Sequence, residues 1–317
     1  MGEGEDMPKK KQNLLAKVQR IIAVKEHEVD HTTKLGFVQY LIMSLKRVEM
    51  SGSGAQLAFF FLLSFFPLLI FLVTLLPYLK LEQEQVFEIM AEIMPGEIFK
   101  MVEDILSQVL TTQNGGLLSV GIIGTLWTAS RGVDALMKAL NKAYDVEGKA
   151  GFINRSWSLL FTISFVVIIL TALVLPIFGQ QILNISLNYI GLDISDEIAS
   201  LWTFLSWITP PLLILLLMTA VYWIVPNTNP RIKLFSIWPG ALIATAGFLA
   251  LTYGFSFYIN NFGNYNATYG SIGGVIVLML WLYFIGMILV FGGIVNAAFE
   301  RRRKAIAAKQ TTKSPEF

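Results

Sequence analysis

Residues 260–284 read NNFGNYNATYGSIGGVIVLMLWLYF. Asn260, Asn261, Asn264 and Asn266 alternate with Phe262, Gly263, Tyr265 and Tyr269. From Ile272 the chain then turns almost wholly apolar as far as Phe299. A bilayer core of about 30 Å takes about 20 mainly apolar residues in helical form. The run after Ile272 exceeds that length, so it reads as a membrane-spanning helix with an amide-rich strip at its mouth.

The rest of the chain repeats the pattern. Of 317 residues, 55% are apolar and only 15% charged, against about 25% charged in an average soluble chain. Too little charge is present to cover a soluble surface. Six segments are long and apolar enough to span: Ala55–Tyr78, Leu117–Leu140, Trp157–Phe178, Leu201–Val225, Phe235–Ile259 and Ser271–Phe299. The second is the least apolar, because Arg131, Asp134 and Lys138 fall within it, and it reads as a span that runs on into the interface. The expected fold is all-α, a polytopic membrane protein of six transmembrane helices with short amphipathic interfacial helices. No cleavable leader is expected, since no short apolar run with a small-residue cleavage site opens the chain.

Charge sets the orientation. On a six-span topology, twenty-two of the 24 Lys and Arg residues fall on one side, and only Lys80 and Lys100 on the other. The positive-inside rule places that basic side, with both termini, in the cytoplasm of a plasma (inner) membrane. Residues 1–50 then form a cytoplasmic amphipathic lead-in, 51–300 the six-helix domain and 301–317 a basic cytoplasmic tail. In the lead-in, Leu14, Leu15, Val18, Ile21 and Ile22 lie on one helical face, and Leu35–Val48 repeats the pattern, which suits a helix resting on anionic lipid. Outside, residues 79–116 show apolar positions at helical spacing (Val86, Ile89, Met90, Ile93, then Ile98, Val102, Ile105, Val109). They predict two short amphipathic helices on the outer face.

Several motifs ask for chemistry. HEVDH at 27–31 matches the H-E-x-x-H pattern in which two His bind zinc and the Glu is general base. His27 and His31 are the only histidines, and charged neighbours make the stretch a solvated face, so the match reads as chance and no metal or other cofactor is expected. Cysteine is absent, which removes thiolate chemistry and thiol metal sites. The small net charge of +2 gives a nucleic-acid partner no support. Inside the spans few side chains are ionisable, and polar residues such as Gln56, Ser64, Thr74, Thr162, Thr209 and Asn296 occur rather than a relay of Asp, Glu and His, which argues against an ion-coupled pump. No P-loop is present.

Arg131, Asp134 and Lys138 are spaced to pair along one helix face. Either they are snorkelling cations with a helix salt bridge, or Arg131 holds a lipid phosphate in its guanidinium fork near the inner headgroup plane. Pro67 in the first span and Pro210 and Pro211 in the fourth are expected helix breaks, at corresponding places if the two halves form an inverted repeat. Ala246, Ala250 and Gly254, with Gly270, Gly274, Gly293 and Ala297, form small-residue seams, read as internal packing before a homo-oligomer face.

LAFFFLLSFFPLLIFLVTLLPYL, LWTASRGVDALMKALNKAYDVEG, YWIVPNTNPRIKLFSIWPGALIAT and FYINNFGNYNATYGSIGGVIVLMLWLYFIGMILVFGGIVNAAFE together resemble the YihY/BrkB family of bacterial inner-membrane proteins, over residues 40–300. The family was formerly labelled ribonuclease BN, but no nuclease constellation occurs here. HEVDH lies outside the family pattern. The resemblance implies six spans, cytoplasmic ends and a part in envelope lipid homeostasis, and without a catalytic constellation no enzymatic role is expected. Two functions follow: transport or flipping of a lipid or other amphiphile, or a non-transporting scaffold that gathers envelope proteins on its outer face.

The bacterial resemblance makes the sequons at Asn184 and Asn266 improbable glycan sites. The strip itself has two readings. Asn260, Asn261 and Asn264 cap the ends of the fifth and sixth helices, or they line an outer vestibule with Tyr265 and Tyr269 at the headgroup boundary.

Overall fold

A computed structural model describes residues 29–79, 115–148, 196–262 and 272–311, with isolated positions at 87, 91, 99, 103, 156, 158–160, 162 and 163. Among the described residues every regular element is helical. The order is α1 (Lys34–Val48), α2 (Met50–Leu79), α3 (Gly115–Tyr144), α4 (Asp196–Ile224), a 3₁₀ turn (Leu234–Ser236), α5 (Trp238–Phe262) and α6 (Ile272–Thr311). Three helices among the described residues, Met50–Phe71, Trp238–Ile259 and Gly273–Thr311, are long and apolar enough to cross a membrane, and Ile208–Ile224 is a shorter apolar one. α3 has the length for a span, but Arg131, Asp134, Lys138 and Lys142 lower the apolarity of its second half. Of the expected third span, residues 158–160, 162 and 163 are helical and the remainder lies outside the described residues.

α1 is started by chemistry in its first turn. Thr33 is the N-cap, its Oγ1 accepting from the Gly36 N–H at 3.0 Å, which supplies one amide that the helix itself leaves without a partner. Asp30 braces the turn: its carboxylate accepts from the Thr32 N–H at 3.0 Å and the Thr32 hydroxyl at 2.7 Å. A side chain on Gly36 would overlap the Asp30 carbonyl. At the other end Glu49 adopts φ 52, its N–H reaching the Leu45 and Lys46 carbonyls, and this left-handed residue alone separates α1 from α2. The lead-in stretch 35–48 is therefore docked: Tyr40, Ser44 and Val48 are buried and Phe37 meets Phe299 of α6 at 4.8 Å, while Leu35 and Val38 remain exposed. The companion stretch at 14–22 lies outside the described residues.

α2, α3 and α6 form the centre, and small residues set their separations. Gly121, Gly124 and Gly132 of α3 seat against Phe71, Pro67 and Phe61 of α2. Gly54 of α2 and Gly286 of α6 face one another, and a Cβ on Gly286 would stand 2.8 Å from the Gly54 carbonyl oxygen. Such close approach is how helices gain dispersion contact where water provides no driving force between them.

Three sequence expectations change. The prolines do not break their helices: α2 runs on past Pro67, and α4 past Pro210 and Pro211. A proline deletes one ladder donor, yet the helical backbone continues on both sides of each, and Gly124 of α3 lies against the Pro67 ring. On α5 the packed seam is Gly240, Ala244 and Gly247, whereas Ala246, Ala250 and Gly254 are exposed. Helical spacing alone fits both stripes, and the crossing with α6 selects between them. Finally, α6 does not end at the apolar boundary but continues through Arg301–Lys304 to Thr311, so the first part of the basic tail is a helical extension of the last span.

Two apolar clusters fill the bundle. One lies toward the basic end around Leu140, Tyr222, Ile237, Val290 and Ile294. The other lies in the opposite half around Leu69, Phe255, Leu278 and Trp281, with Phe87 and Phe99 packed on it. Those two rings, 6.2 Å apart, are helical positions from the expected outer helices; most of residues 80–114 lies outside the described residues.

Candidate functional site

The residues singled out from sequence fall in three places. On α3, Val120, Ile123 and Trp127 are exposed apolar side chains, followed at helical spacing by exposed Arg131, half-buried Asp134 and exposed Lys138. Lys138 Nζ is 2.9 Å from Asp134 Oδ2, as the spacing predicts. Arg131 instead lies over the Trp127 ring, 5.8 Å from its centroid. A guanidinium on an aromatic face keeps its N–H edges directed outward. One outward-facing stripe thus passes from apolar to aromatic to charged along the helix.

At the opposite end of the bundle, the Asn261 amide donates to the Phe257 carbonyl at 2.8 Å, one turn back in α5. That carbonyl already belongs to the helical ladder, so this is a local back-bond. Asn264, Tyr265 and Tyr269 lie outside the described residues, as does the Asn260 side chain. The HEVDH stretch is engaged structurally where it is described: Asp30 serves the Thr32 turn, and His31 stands edge-on to Tyr40 at 5.3 Å. The hydrogen bonds from Thr32 hold the Asp30 carboxyl below the usual carboxylate range. His27 lies outside the described residues. Among the described residues no group of three or more His, Asp or Glu side chains gathers around a metal-sized space.

The third place was not anticipated. At the basic end, α1, α3, the 225–237 connection and α6 meet in a buried polar knot. Asn296 is wholly buried, and its Oδ1 accepts from the Gly240 N–H at 2.7 Å. Gly240 lies in the first turn of α5, just after Pro239, so α6 supplies the cap that α5 lacks. A side chain on Gly240 would overlap the Gly292 carbonyl and Asn296. The buried Tyr222 hydroxyl donates to the Leu289 carbonyl at 2.8 Å. Asn141 Oδ1 accepts from the Asn227 N–H at 2.9 Å, fastening the connection to α3. Farther out, Asp145, at φ 56 just beyond α3, lies 3.6 Å from Arg47 of α1 and 3.5 Å from Arg301 of α6. Both guanidiniums also lie over the Tyr40 ring, at 5.8 and 5.0 Å. From sequence only Asn296 stood out, as a polar residue in an apolar run. The arginines registered as topology signals.

This architecture can be set beside known proteins. The family model described as "Virulence factor BrkB" matches residues 41–316. The chain belongs to the BrkB family. The match begins inside α1 and leaves HEVDH outside the family region. The ribonuclease-like protein YfkH of Bacillus subtilis is 42% identical over 85% of this chain and 97% of its own length. UPF0761 membrane proteins of Actinobacillus pleuropneumoniae and Vibrio campbellii are each 25% identical, covering 82% and 84% of this chain and 92% and 83% of their own. No solved structure matches the chain significantly. With its apolar helices, this BrkB-family chain is an integral membrane protein. The word ribonuclease in one relative's name establishes no enzymatic role here.

Proposed function

We propose that the protein moves a phospholipid or similar amphiphile between the leaflets of a bacterial plasma membrane, with the basic end and both termini in the cytoplasm. The observation that carries this reading is the charged stripe on the exposed face of α3. Measured from Gly115 at about 1.5 Å per residue, a core of about 30 Å ends near residue 135. Arg131 then sits just inside the inner edge of the hydrocarbon, within snorkelling reach of a headgroup. Asp134 and Lys138 continue the polar path outward from the core. An intramembrane ionisable residue on an exposed face has a cost that a passing headgroup offsets. In this reading Arg131 engages the phosphate, Asp134 and Lys138 set the local charge, and the Asn260–Tyr269 strip receives the headgroup at the outer leaflet.

Reconstitution into vesicles with headgroup-labelled fluorescent lipids tests it. Exchange faster than in empty vesicles is expected. Arg131→Lys is expected to slow exchange roughly tenfold, the loss of one charge-assisted hydrogen bond, with an unchanged unfolding midpoint. Exchange no faster than in empty vesicles removes the transport reading and leaves that of a scaffold for envelope proteins.

A further inference from the structure

The cluster around Tyr40 is built unlike an ordinary surface ion pair. Arg47 and Arg301 come from helices at opposite ends of the chain, and each addresses a different oxygen of one carboxylate, Oδ1 and Oδ2 of Asp145. Their separations of 3.6 and 3.5 Å exceed the 2.7–2.9 Å of a tight charge-assisted hydrogen bond, so the carboxylate engages each guanidinium loosely. Tyr40 is 2% exposed and sits beneath both guanidiniums, with the His31 ring nearly perpendicular to it at 5.3 Å. It orients the two forks and supplies no charge to compete with an anion.

The Asp145 side chain is 59% exposed, on a left-handed residue beyond the helix end, against 24% for Arg47 and 37% for Arg301. The surroundings are basic. Arg302 lies over Phe37 at 6.0 Å, and the nearby Glu300 carboxylate is taken up by Arg303 at 2.9 Å and Lys304 at 3.7 Å.

We propose that Arg47 and Arg301, set on Tyr40, form a phosphate-binding clamp in which Asp145 holds the anion's place until a phosphate group displaces it. A tetrahedral phosphate offers an oxygen to each guanidinium and can carry more negative charge than the carboxylate. The site is separate from the α3 stripe. The phosphate comes from a free anion or from a lipid headgroup, and only the lipid source rests on the basic end lying at the inner leaflet.

Full-length protein in neutral detergent, at ionic strength held constant with chloride, is titrated with inorganic phosphate while its unfolding midpoint is followed. In a second arm, in phosphate-free buffer, nanodiscs of phosphatidylcholine, whose choline neutralises the headgroup phosphate, are compared with nanodiscs containing the anionic phosphatidylglycerol. A saturable stabilisation is expected in at least one arm. Response to phosphate alone names a soluble ligand, and response to phosphatidylglycerol alone names a headgroup.

Asp145→Asn is expected to tighten the response roughly two- to fivefold, the reach of an exposed competing ion pair. Arg47→Gln and Arg301→Gln are each expected to weaken it about tenfold. Where those variants fold poorly, Arg47→Lys and Arg301→Lys keep the charge and lose the fork, and are expected to retain stability while weakening the response. No saturable response in either arm overturns the proposal. So does a response indifferent to the arginines, or an Asp145→Asn variant that loses stability without gaining affinity. Lipid-exchange rates play no part in this readout, so failure of the transport reading leaves it standing.

Discussion

At the basic end, Tyr222, Asn141 and Asn296 each carry a hydrogen bond from one element to another. Elsewhere in the bundle Ser64, Thr125, Thr128 and Asn261 bond back to carbonyls of their own helices. The difference is mechanical. A bond between elements fixes their register and leaves a buried group unsatisfied when it breaks, while a back-bond satisfies only the side chain that makes it. The basic end is thus locked by directional contacts. Among the described residues, the other half packs Trp281, Phe248 and Phe255 together, with the Ser51–Tyr283 hydroxyl pair at 2.6 Å as a bond between helices.

The sharpest way to break this comparison is at the glycines. Gly240→Ala forces a methyl group into the Gly292 carbonyl, with an expected loss of about 3 kcal/mol or of the folded protein altogether. Gly254, with nothing within 4 Å of its added Cβ, sits at the far end of the scale. Gly254→Ala is expected to be neutral or to stabilise by up to about 1 kcal/mol through helix propensity alone. Equal yields and unfolding midpoints for the two variants in detergent contradict the assignment of the packed seam.

Asn296→Ala comes next, removing the partner of a buried amide at an expected cost of about 1–3 kcal/mol. Tyr222→Phe is milder, about 1 kcal/mol, since the Leu289 carbonyl remains in its helix. Asn261→Ala is expected to cost under about 0.5 kcal/mol, as for a surface position. Should it match Asn296→Ala in a denaturant titration, the strip acts as a cap and the contrast between the two halves fails.

Much of this was legible in advance. The apolar runs marked α2, α5 and the membrane part of α6, and the i,i+4 rule predicted the Asp134–Lys138 pair. Two kinds of information were lost. Proline looked like a break because propensity counts the missing donor, whereas one lost donor leaves the helices continuous through Pro67, Pro210 and Pro211. The α5 seam was assigned to the wrong stripe because two small-residue faces share one helix, and sequence does not say which meets a neighbour. The convergence of Arg47 and Arg301 on Asp145 was invisible for a similar reason, since the three lie in separate segments and each resembles an ordinary interfacial charge.

By itself the sequence determined the solvent and the helical class, because hydropathy is a sum over local stretches. Only the tertiary structure decided which glycines touch, which amide caps α5 and which arginines converge on Asp145. Those depend on helix crossings and register, set by close packing among residues tens to hundreds of positions apart.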